Sequence, residues 1–165
     1  MSKKKEIKTN AMRFLDKNKI AYNHFTFDIK SDDAKTGVGV AKIIVKDKKQ
    51  VFKTIVTTAG DGNYFVGVIM CEDNLDLKKL AKEAKVKKIE LLPLKDLTKI
   101  TGYVKGGCSP FAMKKQFPTF IDEKCLNVEK IIISAGKVGE QIEVDYKVLE
   151  NLLGAKIANI TKEET

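Results

Sequence analysis

Histidine occurs once, at His24, arginine once, at Arg13, and tryptophan not at all. A single histidine excludes any mechanism built on a histidine pair, and a histidine-based triad would have to use His24 itself. The three cysteines, Cys71, Cys108 and Cys125, are an odd number without CxxC spacing, which argues against a disulfide framework and against a cysteine-rich zinc site. No grouping of ligating residues suggests a metal. Neither a Walker A lysine–serine pair nor a GxGxxG after a strand is present, and Gly37-Val38-Gly39 is too short to count, so no nucleotide cofactor is expected. Bidentate reading of guanine edges relies mainly on arginine, so one arginine speaks against sequence-specific duplex DNA recognition. Apolar runs are short, as in Val66 to Met70 interrupted by Gly67, which excludes a transmembrane helix of ordinary length. The opening MSKKKEIKTN has positive charge but no apolar stretch behind it, unlike a signal peptide. The expectation is a cytoplasmic protein with no membrane partner.

What remains is a globular composition: 165 residues, 43% hydrophobic and 32% charged. That is one domain's worth of chain, expected over residues 1–165, burying roughly 70% of the surface its unfolded form exposes. The 31 basic residues, all lysine except Arg13, outweigh 22 acidic ones to give +9. Such a charge draws a protein to polyanions, nucleic acid above all; solvated lysine-rich helix faces give the same number.

Apolar spacing predicts an amphipathic helix from Lys4 to Lys19, a strand from Ile20 to Asp28 and a short helix from Asp33 to Val45. The β-branched run Val51 to Thr58 and the run Tyr64 to Met70 flank Gly60-Asp61-Gly62-Asn63, a strong hairpin signal. A helix follows over Leu75 to Ala84 with Asn74 or Asp73 as its N-cap, then a strand at Lys88 to Leu91 and a helix from Pro93 to Ile100. Gly102 to Pro110 breaks all periodicity and reads as a loop. Strands are expected at Thr119 to Asp122, Lys130 to Ser134, Ile142 to Val144 and Lys156 to Ile160. A helix capped by Asp145 and stopped by Gly154 precedes the last of them. This order reads as a mixed α/β (α+β) single domain, a curved mixed sheet flanked by helices.

Three features could carry chemistry. Lys53 interrupts a β-branched strand, sharing one face with Val51 and Ile55 while Phe52, Thr54 and Val56 share the other. A lysine there either snorkels at an edge or projects into a pocket to meet an anion. Gly106-Gly107-Cys108-Ser109-Pro110 is either a tight turn or a loop whose backbone N–H groups are aimed at an oxygen. Ser134 to Gly139 ends an apolar strand in small residues, which leaves room for a ligand or simply turns the chain. Cys108 has no second histidine to activate it and is not expected to be a nucleophile. His24 is expected to be a packed strand histidine rather than a metal ligand.

In combination the chain resembles the YbaK/EbsC family, free-standing Cys-tRNA(Pro) deacylases related to the editing domain of bacterial prolyl-tRNA synthetases. The resemblance rests on Ile20-Ala21-Tyr22, Phe52-Lys53-Thr54 and Leu77-Lys78-Lys79-Leu80-Ala81. It rests above all on the run Thr101 to Pro110 (TGYVKGGCSP), on Ser134 through Gly139 and on Gly154-Ala155. It implies a mixed sheet-and-helix fold and hydrolysis of the ester joining a misattached amino acid to tRNA. It implies Lys53 as the essential side chain and the Gly106 to Pro110 loop as the source of backbone groups around the ester. Ser134 and Gly136 would line the amino-acid pocket. In the cysteine-specific branch the substrate's own thiol attacks its ester, so no protein nucleophile, metal or cofactor is needed. Partners would be the aminoacylated 3′ end of tRNA and a prolyl-tRNA synthetase.

Two positions depart from the family. Phe27 stands where many members carry a substrate-pocket tyrosine, and Gln141 where bacterial members carry an aspartate. Thr54, in place of the asparagine common in alanine-editing relatives, favours the cysteine branch. Alternatives are an Ala-tRNA(Pro)-type editing enzyme, or a non-catalytic nucleic-acid- or nucleotide-binding module of the same fold, to which Phe27 and Gln141 point.

Overall fold

The Thr9 hydroxyl accepts the Met12 N–H at 3.1 Å and starts α1 (Asn10–Lys17), whose buried side is Ala11, Met12 and Leu15. The computed structural model describes residues 8–163, so the helix expected from Lys4 falls partly outside the described residues. β1 (Asn23–Thr26) is shorter than its apolar alternation suggests. The segment expected as one helix divides into a 3₁₀ turn at Asp32–Lys35 and α2 (Gly37–Ile43), capped by Thr36. The division falls at Thr36, whose backbone is extended at φ −130° and ψ 154°, and Gly39 lets the two pieces pack together, since a Cβ there would lie 1.9 Å from the Asp33 carbonyl oxygen.

β2 (Phe52–Gly60) and β3 (Asn63–Met70) form the expected hairpin. Asp61 and Gly62 at its tip both have positive φ, 53° and 76°, the condition for a turn that matches strand twist. α3 (Leu77–Ala84) is capped by neither Asn74 nor Asp73. Asp76 does it, its carboxylate accepting the N–H groups of Lys78 and Lys79. Leu75 is held extended in a bridge to Thr161, and the Asp73 carboxylate is drawn to Lys124 at 2.6 Å. β4 (Glu90–Leu91) and α4 (Leu94–Thr101) follow, and Gly102 ends the helix at φ 88°. The remaining elements are β5 (Thr119–Asp122), β6 (Ile131–Ser134), β7 (Glu140–Val144), α5 (Lys147–Leu153) and β8 (Lys156–Ala158). The N-cap of α5 is Tyr146, whose side chain makes no cap bond, rather than the expected Asp145, although the Asp145 carboxylate one residue earlier accepts the Lys147 N–H at 3.0 Å.

The strands are shared between two sheets. One is antiparallel, β1-β7-β6, and the other mixed, β4-β2-β3-β5-β8, with β5 parallel to both of its neighbours. They meet where Val51 bridges Ile132 in parallel. Phe52, Val56, Val66 and Val68 from one sheet join Ile131, Ile133, Ile142 and Val144 from the other in one core, with Leu15 of α1 and Phe111. The reverse face of β2–β3 presents Val51 to Ala41 of α2 and Ile55 to the cluster around Leu80 and Ala81 of α3. The alternation read from the sequence therefore holds, with Lys53 on that reverse face. No helix among the described residues is long and apolar enough to cross a membrane.

Candidate functional site

Side chains alternate along a strand, so the Val51–Ile132 bridge fixes what lies beside Lys53. Two residues further along both strands are Lys53 and Ser134, on one face at the point where the sheets part. Gln141 is the cross-strand partner of Ser134, and Phe25 that of Gln141, which extends the same face across the smaller sheet. Phe27 follows two residues later, half-buried, its N–H bound to the Gly139 carbonyl at 2.9 Å. Lys53 is half-buried and makes no hydrogen bond or ion pair among the described residues. Its ammonium is close enough to Cys71 to counter the rise in that thiol's pKa, which burial causes and Glu72 reinforces. Thr54, on the inner face, buries its hydroxyl without a hydrogen-bond partner.

The glycine loop reaches this corner from the other side. Gly106 turns the chain at φ 82°, and the Gly107 N–H closes the turn on the Val104 carbonyl at 3.0 Å. A Cβ on Gly107 would come within 3.0 Å of the Val138 nitrogen and 3.2 Å of the Lys137 carbonyl carbon, so the loop backbone lies directly on the turn that follows Ser134. Cys108, Ser109 and Pro110 are buried. The Ser109 hydroxyl accepts the Phe111 N–H at 3.2 Å, and burial pushes the Cys108 thiol up to about 12. Among the described residues, the N–H groups of Gly106, Cys108 and Ser109 have no acceptor. Gly106 is exposed and Ser109 is wholly buried, so the Ser109 N–H is closed to a ligand, while the side chains of the loop anchor it in the core.

The Ser134 hydroxyl accepts the Gly136 N–H at 3.1 Å, which leaves its own O–H to donate. Gly136 has φ 98°, and a Cβ there would meet the Tyr103 ring at 2.9 Å. The Tyr103 hydroxyl donates to the Phe111 carbonyl at 2.5 Å, and burial raises its pKa to about 12. Tyr103 thus ties the glycine loop to the Ser134 turn. Its place in the TGY run marks it in the sequence, but a buttressing role depends on a contact that spacing does not show.

His24 takes no part in this corner. Its Nε2 lies 2.5 Å from the buried Glu140 carboxylate, which also accepts the Thr26 hydroxyl at 2.7 Å. Both His24 and Glu140 lie on the face of the smaller sheet opposite Gln141. Glu143, on the Gln141 face, is buried as well. Burial opposes its ionisation, yet hydrogen bonds from Asn23 and Gln50 and the Lys46 ammonium at 3.3 Å hold its carboxyl below the usual range. Sequence reasoning did not identify the wall beyond Lys53, where Ile55, Leu75, Leu77 and Leu91 enclose a cavity of about 520 Å³.

A glycine loop with unpaired backbone donors, packed on the turn that follows Ser134, and an uncompensated lysine on the strand beside Ser134 are groups able to meet an oxyanion. Comparison with known proteins agrees with that chemistry. Residues 31–152 match the aminoacyl-tRNA editing domain, and the chain belongs to that family. It is 44% identical over 165 residues, 99% of this chain and 100% of the relative, to an Enterococcus faecalis (strain ATCC 700802 / V583) protein that carries the name Cys-tRNA(Pro)/Cys-tRNA(Cys) deacylase EbsC. The fold is shared with a solved protein described as a trans-editing enzyme for prolyl tRNA synthetase, at TM-score 0.78 and 17% identity over 94% of this chain and 99% of that one. It is shared too with a solved hypothetical protein at TM-score 0.81 and 19% identity, covering 91% and 97%.

Proposed function

We propose that the protein is a trans-editing deacylase that cleaves the ester of misacylated tRNA, with Cys-tRNA(Pro) as its substrate and residues 1–165 acting as one editing unit. The observation that carries this reading is the pair of N–H groups at Gly106 and Cys108 without acceptors, in a loop packed on the turn that follows Ser134, the residue beside Lys53 on the neighbouring strand. Ester cleavage develops negative charge on the carbonyl oxygen, and fixed donors stabilise it without reorganisation. Lys53 holds the 3′-terminal ribose–phosphate region and orients the ester rather than moving a proton. Ser134 and Gly136 line the space for the amino acid, with Gln141 and Phe27 at its edge.

The nucleophile is the substrate's own sulfur. It bonds to the carbonyl carbon as the ester C–O bond breaks, the ribose oxygen leaves with a proton from water, and water then opens the cyclic thioester to free cysteine; cysteine suits the step because a few per cent of it is thiolate near neutral pH. The Cys108 thiol, its pKa pushed by burial up to about 12, stays protonated near neutral pH and does not compete. The name of the 44% identical relative supports the cysteine assignment. The excess of lysine supplies non-specific attraction to the tRNA backbone. A prolyl-tRNA synthetase would deliver the substrate, since one arginine and no tryptophan leave little for telling tRNA bodies apart.

The test is a deacylation panel with purified protein on Cys-, Ala- and Ser-tRNA(Pro). Rapid release of cysteine with slow release of alanine is expected. Preference for alanine would move the assignment to alanine editing, and no release from any substrate would leave a non-catalytic binding module.

A further inference from the structure

β1 is a four-residue strand at the edge of the smaller sheet, and its residues are all exposed or half-buried. A hydrophobic pattern normally fixes the register of a strand, and a slip of one residue turns every side chain to the other face. That pattern is weak in β1. On the core face, where β7 and β6 present Ile142 and Ile133, it offers His24 and Thr26. Polar ties to β7 take over the task. The Glu140 carboxylate accepts the Thr26 hydroxyl at 2.7 Å and lies 2.5 Å from His24 Nε2. On the opposite face the Glu143 carboxylate accepts the Asn23 amide at 2.8 Å. The Glu140 side chain is only 4% exposed, and a polar group so buried is costly unless it is hydrogen-bonded. β1 in this register supplies its partners, so leaving the register exacts that cost.

The same residue reaches the site through its backbone. The Glu140 N–H closes on the Lys137 carbonyl at 3.1 Å, and the Glu140 carbonyl accepts the Ala135 N–H at 3.0 Å. These two bonds shape the turn on which the glycine loop lies. One residue earlier, the Gly139 carbonyl takes the Phe27 N–H. Glu140 is therefore where the Ser134–Gly136 wall meets the strand that carries Phe25 and Phe27, although its carboxylate points to the other face of the sheet. We propose that Glu140 is a positioning residue: by locking β1 in register it sets Phe27 against Ser134, and with it the shape of the space in which the substrate's amino acid turns back on its own ester. This inference rests on the editing function proposed above. Intramolecular attack needs the reacting atoms held about 3–3.5 Å apart. A displaced Phe27 wall slows that step while Lys53 and the backbone donors stay in place.

The experiment has two arms. In the first, hydrogen exchange of the Phe27 N–H is followed by NMR with no substrate present. Glu140→Ala should speed it about tenfold, the loss expected when hydrogen bonds to a charged group are removed, while the amides of β2 and β3 exchange as in wild type. In the second, Glu140→Ala should lower kcat on Cys-tRNA(Pro) by about 10–10²-fold with KM near wild type. Glu140→Gln keeps an oxygen for the Thr26 hydroxyl and should restore both readouts. Thr26→Val, at an exposed position, removes one tie without a change of shape; it should move both readouts the same way by less, and it decides the matter if Glu140→Ala does not fold. Unchanged Phe27 exchange, faster exchange with unchanged kcat, or a loss of kcat that comes with faster exchange throughout β2 and β3 would overturn the positioning role. Wild-type protein that releases no amino acid, with Phe27 exchange still responding to the variants, would refute the editing function and leave the register lock standing.

Discussion

Gly107→Ala separates positioning of the loop from strain in it. The Gly107 φ is not among the positive values, so alanine is acceptable to its backbone. The new Cβ, however, would lie 3.0 Å from the Val138 nitrogen, 3.2 Å from the Lys137 carbonyl carbon and 3.3 Å from its Cα. All three are main-chain atoms, so the loop must lift away by a few tenths of an ångström and carry its N–H donors with it. Overpacking of this kind costs about 1–3 kcal/mol of stability, at about 3 °C of Tm per kcal/mol for a chain of this length. Donors moved out of line should reduce kcat by up to about 10²-fold, the loss typical of removing one oxyanion donor. Gly106→Ala is the control. Its φ of 82° makes alanine strained by about 1–2 kcal/mol, but its Cβ would meet only a Val138 methyl at 3.6 Å. The two variants should melt at similar temperatures while Gly107→Ala loses far more of its single-turnover rate on Cys-tRNA(Pro). A Gly107→Ala protein with wild-type kcat, or a larger kcat loss in Gly106→Ala, would refute the argument that these donors act on the ester.

Cys108→Ala and Cys125→Ala should each retain activity in the same assay; a folded but dead Cys108→Ala would bring back a nucleophilic cysteine. Burial raises both thiols to about 12, so iodoacetamide at mildly alkaline pH should label the half-exposed Cys71 first, as mass spectrometry of peptides would show. Glu143, whose folded pKa is lowered, contributes stability above its unfolded value of about 4.3 and loses it as pH falls through the folded value. Glu143→Gln should therefore lower Tm at neutral pH, and the gap from wild type should close in acid; a gap constant with pH would assign the effect to packing. Ser-tRNA(Pro) should be cleaved much more slowly than Cys-tRNA(Pro), and equal rates would point to an activated water.

Local chemistry was readable where the chain's own neighbours decide it. Alternation set Lys53 on the face opposite Phe52 and Val56, Asp61-Gly62 announced the hairpin, and the glycines at 106 and 107 marked a loop of special shape. What was not readable depends on distant partners. The Val51–Ile132 bridge, which divides the strands into two sheets and brings Ser134 beside Lys53, joins residues far apart in sequence. The cap of α3 moved to Asp76 because Leu75 is engaged by Thr161, near the other end of the chain. The expected helix divides at Thr36, which caps a second helix through the Gly39 N–H while Asp33 packs against Gly39. The cavity draws Leu91 and Lys162 from separate regions, and no local pattern assigns either to a site.

Lys53 is the residue on which the account turns, because it joins the Ser134 corner to the cavity and has no partner of its own among the described residues. The decisive measurement is single-turnover release of cysteine from Cys-tRNA(Pro) by wild-type protein and by Lys53→Ala, alongside thermal melts of both. A half-buried, unpaired ammonium adds little to stability, so the melts should nearly coincide while release by the variant falls to the uncatalysed rate. A Lys53→Ala protein that folds and releases cysteine at the wild-type rate would contradict the assignment of this site.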